Sequence, residues 1–262
     1  MNGKKVIKMD IEVLKSLIKE ASHLMTSSGF EIYAKGKDDF VTEVDLAVQE
    51  YICNKLNSLY PEISFMGEES NQQVLDYSKK CWVLDPIDGT TNFIHGFRHS
   101  AISLALLDKG HPILGIIYNP YSDEMFSAIK GQGAFINNQP IHVSIHETVE
   151  NSLIAIGTSP YYKDEETIND NIRIFKALFK DAIDIRRSGS AALDLAYVAC
   201  GRVNAYLEKN VKLWDYAAGK VLIEEAGGII CDYQGTTIEN ELETHVVCGN
   251  PSIVKNIVNS WC

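Results

Sequence analysis

Apolar residues recur at helical spacing near the start of the chain, where Ile11, Leu14, Leu17, Ile18, Ala21, Leu24 and Met25 share one face between residues 10 and 26. Asp10 stands at the N-cap position and Gly29 lies just beyond the end, so the spacing predicts an amphipathic helix. A polar loop, Lys35-Gly36-Lys37-Asp38-Asp39, separates it from a second predicted helix over 42–59, with Val44, Val48, Ile52, Leu56 and Leu59 on one face and Pro61 as its stop. Thr42 and Asp45 have the spacing of a capping pair, with Asp a weaker partner than Glu.

From residue 63 the pattern shortens to β-like runs. Strands are predicted at 63–66, 81–85, 100–107, 113–118, 124–129 and 133–136, with turns at Lys109-Gly110-His111-Pro112 and Asn137-Asn138-Gln139-Pro140. Later the elements alternate: helices at 167–179, 190–200, 214–226 and 251–261, and strands at 183–187, 203–208, 228–232 and 245–248. Two helices followed by a strand-rich stretch predict an N-terminal α+β half with an antiparallel sheet, and the alternation predicts a C-terminal α/β half. The boundary is expected near residues 140 to 152, giving parts 1–145 and 146–262. There is no internal repeat and no low-complexity segment.

Length and charge narrow the function. The 262 residues suffice for a substantial core. A net charge of -11, from 35 acidic against 24 basic residues, without a basic stretch argues against nucleic acid as a ligand. No apolar run reaches the length of a membrane span, and the N-terminal region has no apolar core of a secretory signal. The six cysteines, Cys53, Cys81, Cys200, Cys231, Cys248 and Cys262, form no C-x-x-C pair and read as reduced thiols of a cytoplasmic protein. His95, His99, His111, His142 and His245 have no metal-ligand spacing and read as surface or packing residues.

Candidate chemistry lies with the acids. In Trp82-Val83-Leu84-Asp85-Pro86-Ile87-Asp88-Gly89-Thr90-Thr91 a strand is expected to end on Asp85 and turn at once. Two carboxylates three residues apart around that turn can face one hard cation, and amides of Gly89, Thr90 and Thr91 at a helix start can receive a phosphate. Asp-Pro and Asp-Gly also make an ordinary turn. Taken singly, Glu68-Glu69 reads as a solvated turn, Asp215 as a helix cap and Asp45 as a first-turn charge.

Together they say more. Phe40-Val41-Thr42-x-x-Asp45, Glu68-Glu69, Asp85-Pro86-Ile87-Asp88-Gly89-Thr90, Gly189-Ser190-Ala191-Ala192, Glu208 and Trp214-Asp215-Tyr216-Ala217-Ala218-Gly219 follow in order along nearly the whole chain. This set resembles the inositol monophosphatase family of lithium-sensitive, magnesium-dependent phosphatases. The resemblance implies a layered α-β-α-β-α sandwich, two or three Mg2+ ions, a small phosphorylated polyol as substrate and a homodimer. It implies that Glu68, Asp85 and the Ile87 carbonyl hold one ion, that Asp85, Asp88 and Asp215 hold a second, and that Glu68 holds a third through waters. Thr90 and Glu68 are then expected to orient the attacking water, with Asp45 supporting Thr90. Asp88 would also contact the substrate, with Gly89 and Thr90 binding its phosphate and Gly189, Ser190, Ala191 and Glu208 its alcohol.

The chain departs from the family at Asn210-Val211-Lys212, where Gly-Leu-Lys is usual; Asn is the best replacement for Gly in a left-handed turn. Either Lys35 or Lys37 matches the family's mobile-loop lysine. Within the superfamily, inositol monophosphate leads as substrate over fructose 1,6-bisphosphate and the 2'-phosphate of NADP. Asp88-Gly89-Thr90 is also similar to part of the Asp-x-Asp-Gly-Thr motif of haloacid-dehalogenase-type phosphatases, but here the acids stand three apart, which argues against an aspartyl-phosphate. A regulatory or partner-binding protein that keeps the metal site is the alternative of another class.

Overall fold

The structure is a computed structural model that describes residues 9–26, 31–36, 39–70, 76, 78–159, 162–239 and 241–260. Gly29, Lys37, Asp38, Tyr161, Trp261 and Cys262 lie outside the described residues, as does the side chain of Lys35.

Helix α1 (Ile11–Ala21) begins at Asp10, whose carboxylate accepts from the Glu12 amide at 3.1 Å, and runs into a 3-10 turn at Ser22–Thr26. Of the predicted polar loop, Lys35 and Gly36 belong to β1 (Ile32–Gly36) and Asp39 to β2 (Asp39–Thr42), and the two strands pair as an antiparallel ribbon. Ile32, Tyr33 and Phe40 are exposed on it, so its pairing carries no half-buried alternation by which a sequence pattern reveals a strand. Thr42 caps α2 (Glu43–Leu59), and its pairing with Asp45 is complete in both directions: the Asp45 amide donates to Thr42 Oγ1 at 3.3 Å and the Thr42 amide to Asp45 Oδ2 at 2.8 Å.

Next come β3 (Ser64–Gly67), β4 (Lys80–Asp88), α3 (Thr90–Ile94), β5 (Ala101–Asp108), β6 (His111–Asn119), β7 (Glu124–Ile129), β8 (Ala134–Ile136) and β9 (Gln139–Ile141). They form a seven-stranded sheet in sequence order, parallel between β3 and β4 and antiparallel elsewhere. Two expectations change here. Strand β4 does not turn away at Asp85 but continues to Asp88 through a register shift, with Asp85 opposite Ser103 and Asp88 opposite Ala101. Pro86 has no amide to give the ladder, and a bulge is how a sheet absorbs that loss while re-aiming its side chains. Gln139 and Pro140, expected in a turn, belong to β9: Asn137 and Asn138 alone make it, both at positive φ of 46° and 65°.

The remaining elements are β10 (Leu153–Ile156), α4 (Glu165–Asp181), β11 (Asp184–Arg186), α5 (Ala191–Ala199), β12 (Ala205–Lys212), α6 (Leu213–Glu225), β13 (Ile229–Cys231), β14 (Glu243–Gly249) and α7 (Pro251–Ser260). A mixed five-stranded sheet results, ordered β11-β10-β12-β14-β13, in which β10 is an unanticipated strand parallel to both neighbours.

Alternation along the strands sets the layers. Trp82, Leu84, Ile102, Leu104, Leu106 and Ile116 face α1 and α2. Their neighbours Val83, Ala105, Leu107, Ile117 and Phe126 face α5 and α6, which pack on their other side against Tyr206, Val246 and Cys248 of the second sheet. That sheet's opposite face, with Ile154, Leu207 and Val247, is covered by Ile174 and Leu178 of α4 and Ile253 and Ile257 of α7. The fold is the layered α-β-α-β-α arrangement. Gly115 lets α6 approach β6, since a Cβ there would meet the Ala218 carbonyl oxygen at 2.4 Å. Among the described residues no helix is long and apolar enough to cross a membrane, and Cys53, Cys81, Cys200, Cys231 and Cys248 are free thiols.

Candidate metal centre

The β4 bulge brings two acids onto one spot. Asp85 and Asp88 are 2% and 6% exposed, yet each is anchored: the Ile87 amide donates to Asp85 Oδ1 at 2.9 Å, and the Ala192 amide to Asp88 Oδ2 at 2.8 Å. Ser190, the N-cap of α5, also gives its hydroxyl to Asp88 Oδ2. Asp215 arrives from the first turn of α6, where the amide of the N-cap residue Lys212 donates to its Oδ2 at 2.9 Å; it secures the helix start and is part of the cluster at once. Asp85, Asp88 and Asp215 each offer a carboxylate oxygen, and these oxygens lie within 4.8 Å of one another.

Three acids packed so closely disfavour charge. Burial, and then the charges of Glu68, Asp88, Asp215 and Asp45, hold Asp85 well above the usual carboxylate range. Burial, then Asp88 and Glu68, does the same to Asp215. Burial also raises Asp88, but the Ser190 hydroxyl and the first amides of α5 pull it back to about 6. Among the described residues no Lys, Arg or His forms an ion pair with any of the three. A compact set of hard oxygen donors lacking a protein cation fits a divalent metal ion, which would replace mutual repulsion by attraction.

Other sequence-predicted residues surround this trio. Glu68 follows β3, its amide donating to the Leu84 carbonyl at 3.0 Å; it stands outside the trio, but its charge reaches Asp85 and Asp215. Gly89, at φ 89°, makes the left-handed step from β4 into α3, so the helix-start expectation for Thr90 and Thr91 is met. The Thr90 hydroxyl lies 3.0 Å from the Ile87 carbonyl oxygen and 3.4 Å from Asp45 Oδ1, which ties α2 to the end of β4.

The residues expected to meet the alcohol come from the start of α5 and from β12. Gly189, at φ 87°, and Ser190 precede α5, and Glu208 projects from β12 with the Tyr206 hydroxyl donating to it. Burial lifts Glu208 to about 7 against the lowering effects of Tyr206 and Arg187. The Ser190 hydroxyl donates to Asp88 and accepts from the Leu193 amide at 3.3 Å, so it supports an acid of the carboxylate cluster. Asn210 takes the left-handed conformation at φ 59°, beside a register shift between Glu208 and Val211, and its amide donates to His245 Nδ1 at 3.2 Å. Sequence reasoning missed Asn92 and Arg187. The Asn92 amide nitrogen bridges the His99 and Ser188 carbonyls at 2.8 and 2.9 Å, and Arg187 binds the Thr158 hydroxyl and carbonyl at 3.2 and 3.0 Å. Only their adjacency to the Gly89-Thr90 and Gly189-Ser190 motifs could have pointed to them.

Known proteins are similar to this chain in sequence and fold. The model of the inositol monophosphatase family matches residues 3–260. A protein of Escherichia coli strain K12 named Nus factor SuhB is 39% identical over 236 residues, covering 90% of this chain and 87% of its own length. An inositol monophosphatase of Dictyostelium discoideum is 37% identical over 250 residues, covering 94% and 91%. The crystal structure of extragenic suppressor protein SuhB from Bartonella henselae superposes with a TM-score of 0.87 at 32% identity, covering 95% of this chain and 96% of that one. With the family model spanning nearly every residue, the chain belongs to the inositol monophosphatase family.

Proposed function

We propose that the protein hydrolyses a small phosphate monoester with Mg2+, and that inositol monophosphate is the leading substrate. The observation that carries this is the convergence of Asp85, Asp88 and Asp215. Glu68, Asp85 and the Ile87 carbonyl are suited to one ion, Asp85, Asp88 and Asp215 to a second, and Glu68 to a third through waters. Bound magnesium supplies Lewis acidity toward a phosphate oxygen and makes water a stronger acid. The chain's own groups do the rest. Asp45 fixes the Thr90 hydroxyl, which with Glu68 orients the attacking water. The first amides of α3, from Gly89 and Thr90, face phosphate, and Glu208 accepts from substrate hydroxyls beside Gly189 and Ala191. No side-chain nucleophile is required.

Phosphate release from inositol 1-phosphate, fructose 1,6-bisphosphate and NADP, side by side against magnesium with a chelator blank, tests this reading. A magnesium-dependent preference for inositol 1-phosphate is expected; preference for either other ester moves the substrate assignment within the superfamily. The relatives named Nus factor SuhB favour a second reading, a partner-binding protein that retains the metal site. Magnesium binding without turnover of any of the three esters would support it.

We also propose a homodimer. Ile168, Ile172, Phe175 and Phe179 are 37, 59, 45 and 61% exposed at i, i+4, i+7 and i+11 of α4, and Phe175 stacks on Phe179 at 5.8 Å. A second copy would cover this apolar stripe. Light scattering should report two copies, and Phe175→Glu should yield monomer; a monomeric wild type would rule the dimer out.

A further inference from the structure

Asp194 is an acid inside an otherwise apolar helix. α5 reads Ala-Ala-Leu-Asp-Leu-Ala-Tyr-Val-Ala, and Asp194 is 3% exposed. Its Oδ2 accepts from the Ser188 hydroxyl at 2.7 Å. Ser188 Oγ in turn accepts from the Ser190 amide at 3.3 Å, while the Ser188 carbonyl is held by Asn92. The turn fixed in this way contains Gly189 in the left-handed region and ends on Ser190, whose hydroxyl goes to Asp88. Beyond it the Ala192 amide adds a second hydrogen bond to the same Asp88 oxygen, at 2.8 Å.

An apolar side chain would fill the Asp194 position without the cost of burying a polar group. What the carboxyl adds is direction. A hydroxyl has one proton; with Asp194 as acceptor at 2.7 Å, Ser188 leaves its lone pairs to the Ser190 amide. Without Asp194, the alternative acceptor is the Ser190 carbonyl at 3.4 Å, inside the very turn that must stay fixed. Burial raises the Asp194 carboxyl to about 8, so the bond to Ser188 does not depend on a negative charge.

We infer that Asp194 is a positioning residue that, through Ser188 and the Ser188-Gly189-Ser190 turn, fixes the orientation of Asp88 in the carboxylate cluster. This rests on the reading that Asp85, Asp88 and Asp215 hold magnesium. Groups that orient a metal ligand typically change metal affinity by about 10- to 100-fold, and Asp194 acts one bond further out, so about tenfold is expected.

The test is magnesium binding to the full chain by titration calorimetry, with melting temperature read in parallel. Asp194→Ala and Ser188→Ala should each weaken binding about tenfold, and the double variant no further, because both remove one relay. Asp194→Asn keeps a carbonyl acceptor for Ser188, so it should hold affinity to within about twofold of wild type. Unchanged affinity in both alanine variants overturns the inference, as does a loss of melting temperature alone. Should Asp194→Ala fail to fold, the half-buried Ser188→Ala carries the same test. If wild type itself binds no magnesium, the proposed function falls and this inference falls with it.

Discussion

At Gly157, just after β10, an added Cβ would lie 1.8 Å from Glu208 Oε2 and 2.8 Å from Glu208 Cβ. The absence of a side chain there is what lets Glu208 stand beside the cluster. Gly157→Ala should therefore push Glu208 aside and raise KM for a polyol phosphate several-fold, while magnesium binding persists; kinetics with calorimetry on the same sample would show whether the two effects separate. Single residues were legible to different degrees. Asp85 and Asp88 stand around one turn that suggests a shared target, Asp215 joins them in the sequence only through the family resemblance, and the structure brings the three together. Asp194 was invisible because one acid in a short helix is usually a solvated first-turn charge. Only packing reveals that it is buried and what it holds. The Gly157 constraint was hidden for the same reason, since it depends on a strand more than forty residues away.

Among the elements, α2, like α5 and α6, has a helix start that also serves the site. Thr42 closes the helix start on Asp45, and the other Asp45 oxygen reaches toward Thr90. Thr42→Ala should cost about 1 kcal/mol, a fall of about 2–4 °C in melting temperature for a chain of this size, together with a loss of turnover from the loosened Asp45. A stability loss with turnover intact would separate the cap from the chemistry. Helices α1 and α2 were readable because each buries one stripe on one sheet. β1 and β2 were not, because Ile32, Tyr33 and Phe40 are exposed and Val41 and Thr42, side by side, give no alternation of buried and exposed positions. β10 is a short apolar run, and periodicity alone does not tell such a run as a strand. The continuation of β4 past Pro86 is a tertiary effect: β5 stays paired across a bulge that local turn preference would not predict.

Over the whole molecule, the layering draws acids from both sheets into one buried region, and this has a cost that depends on pH. Burial is the first cause that holds Asp194 at about 8 and Glu208 at about 7. In the unfolded chain such carboxyls titrate near pH ~4. The folded chain thus keeps protons that the unfolded chain has released, and the stability this contributes, full below about pH 4, is lost as pH rises through 7 and 8. At fixed magnesium, the melting temperature should fall between pH 5 and pH 8 and then level, with Asp194→Asn and Glu208→Gln together flattening the fall. An equally steep fall in that double variant would assign the pH dependence to other groups.

The central claim is that one shared carboxylate at the β4 bulge binds the metal that makes hydrolysis possible. Phosphate release from inositol 1-phosphate by wild type and Asp85→Asn, followed from chelator to low millimolar magnesium, tests it most directly. The account predicts saturable, magnesium-dependent turnover in wild type and a loss on the order of 100-fold or more in Asp85→Asn, at the upper end for groups that govern a metal site. Turnover near the wild-type rate in Asp85→Asn at the same magnesium would contradict it.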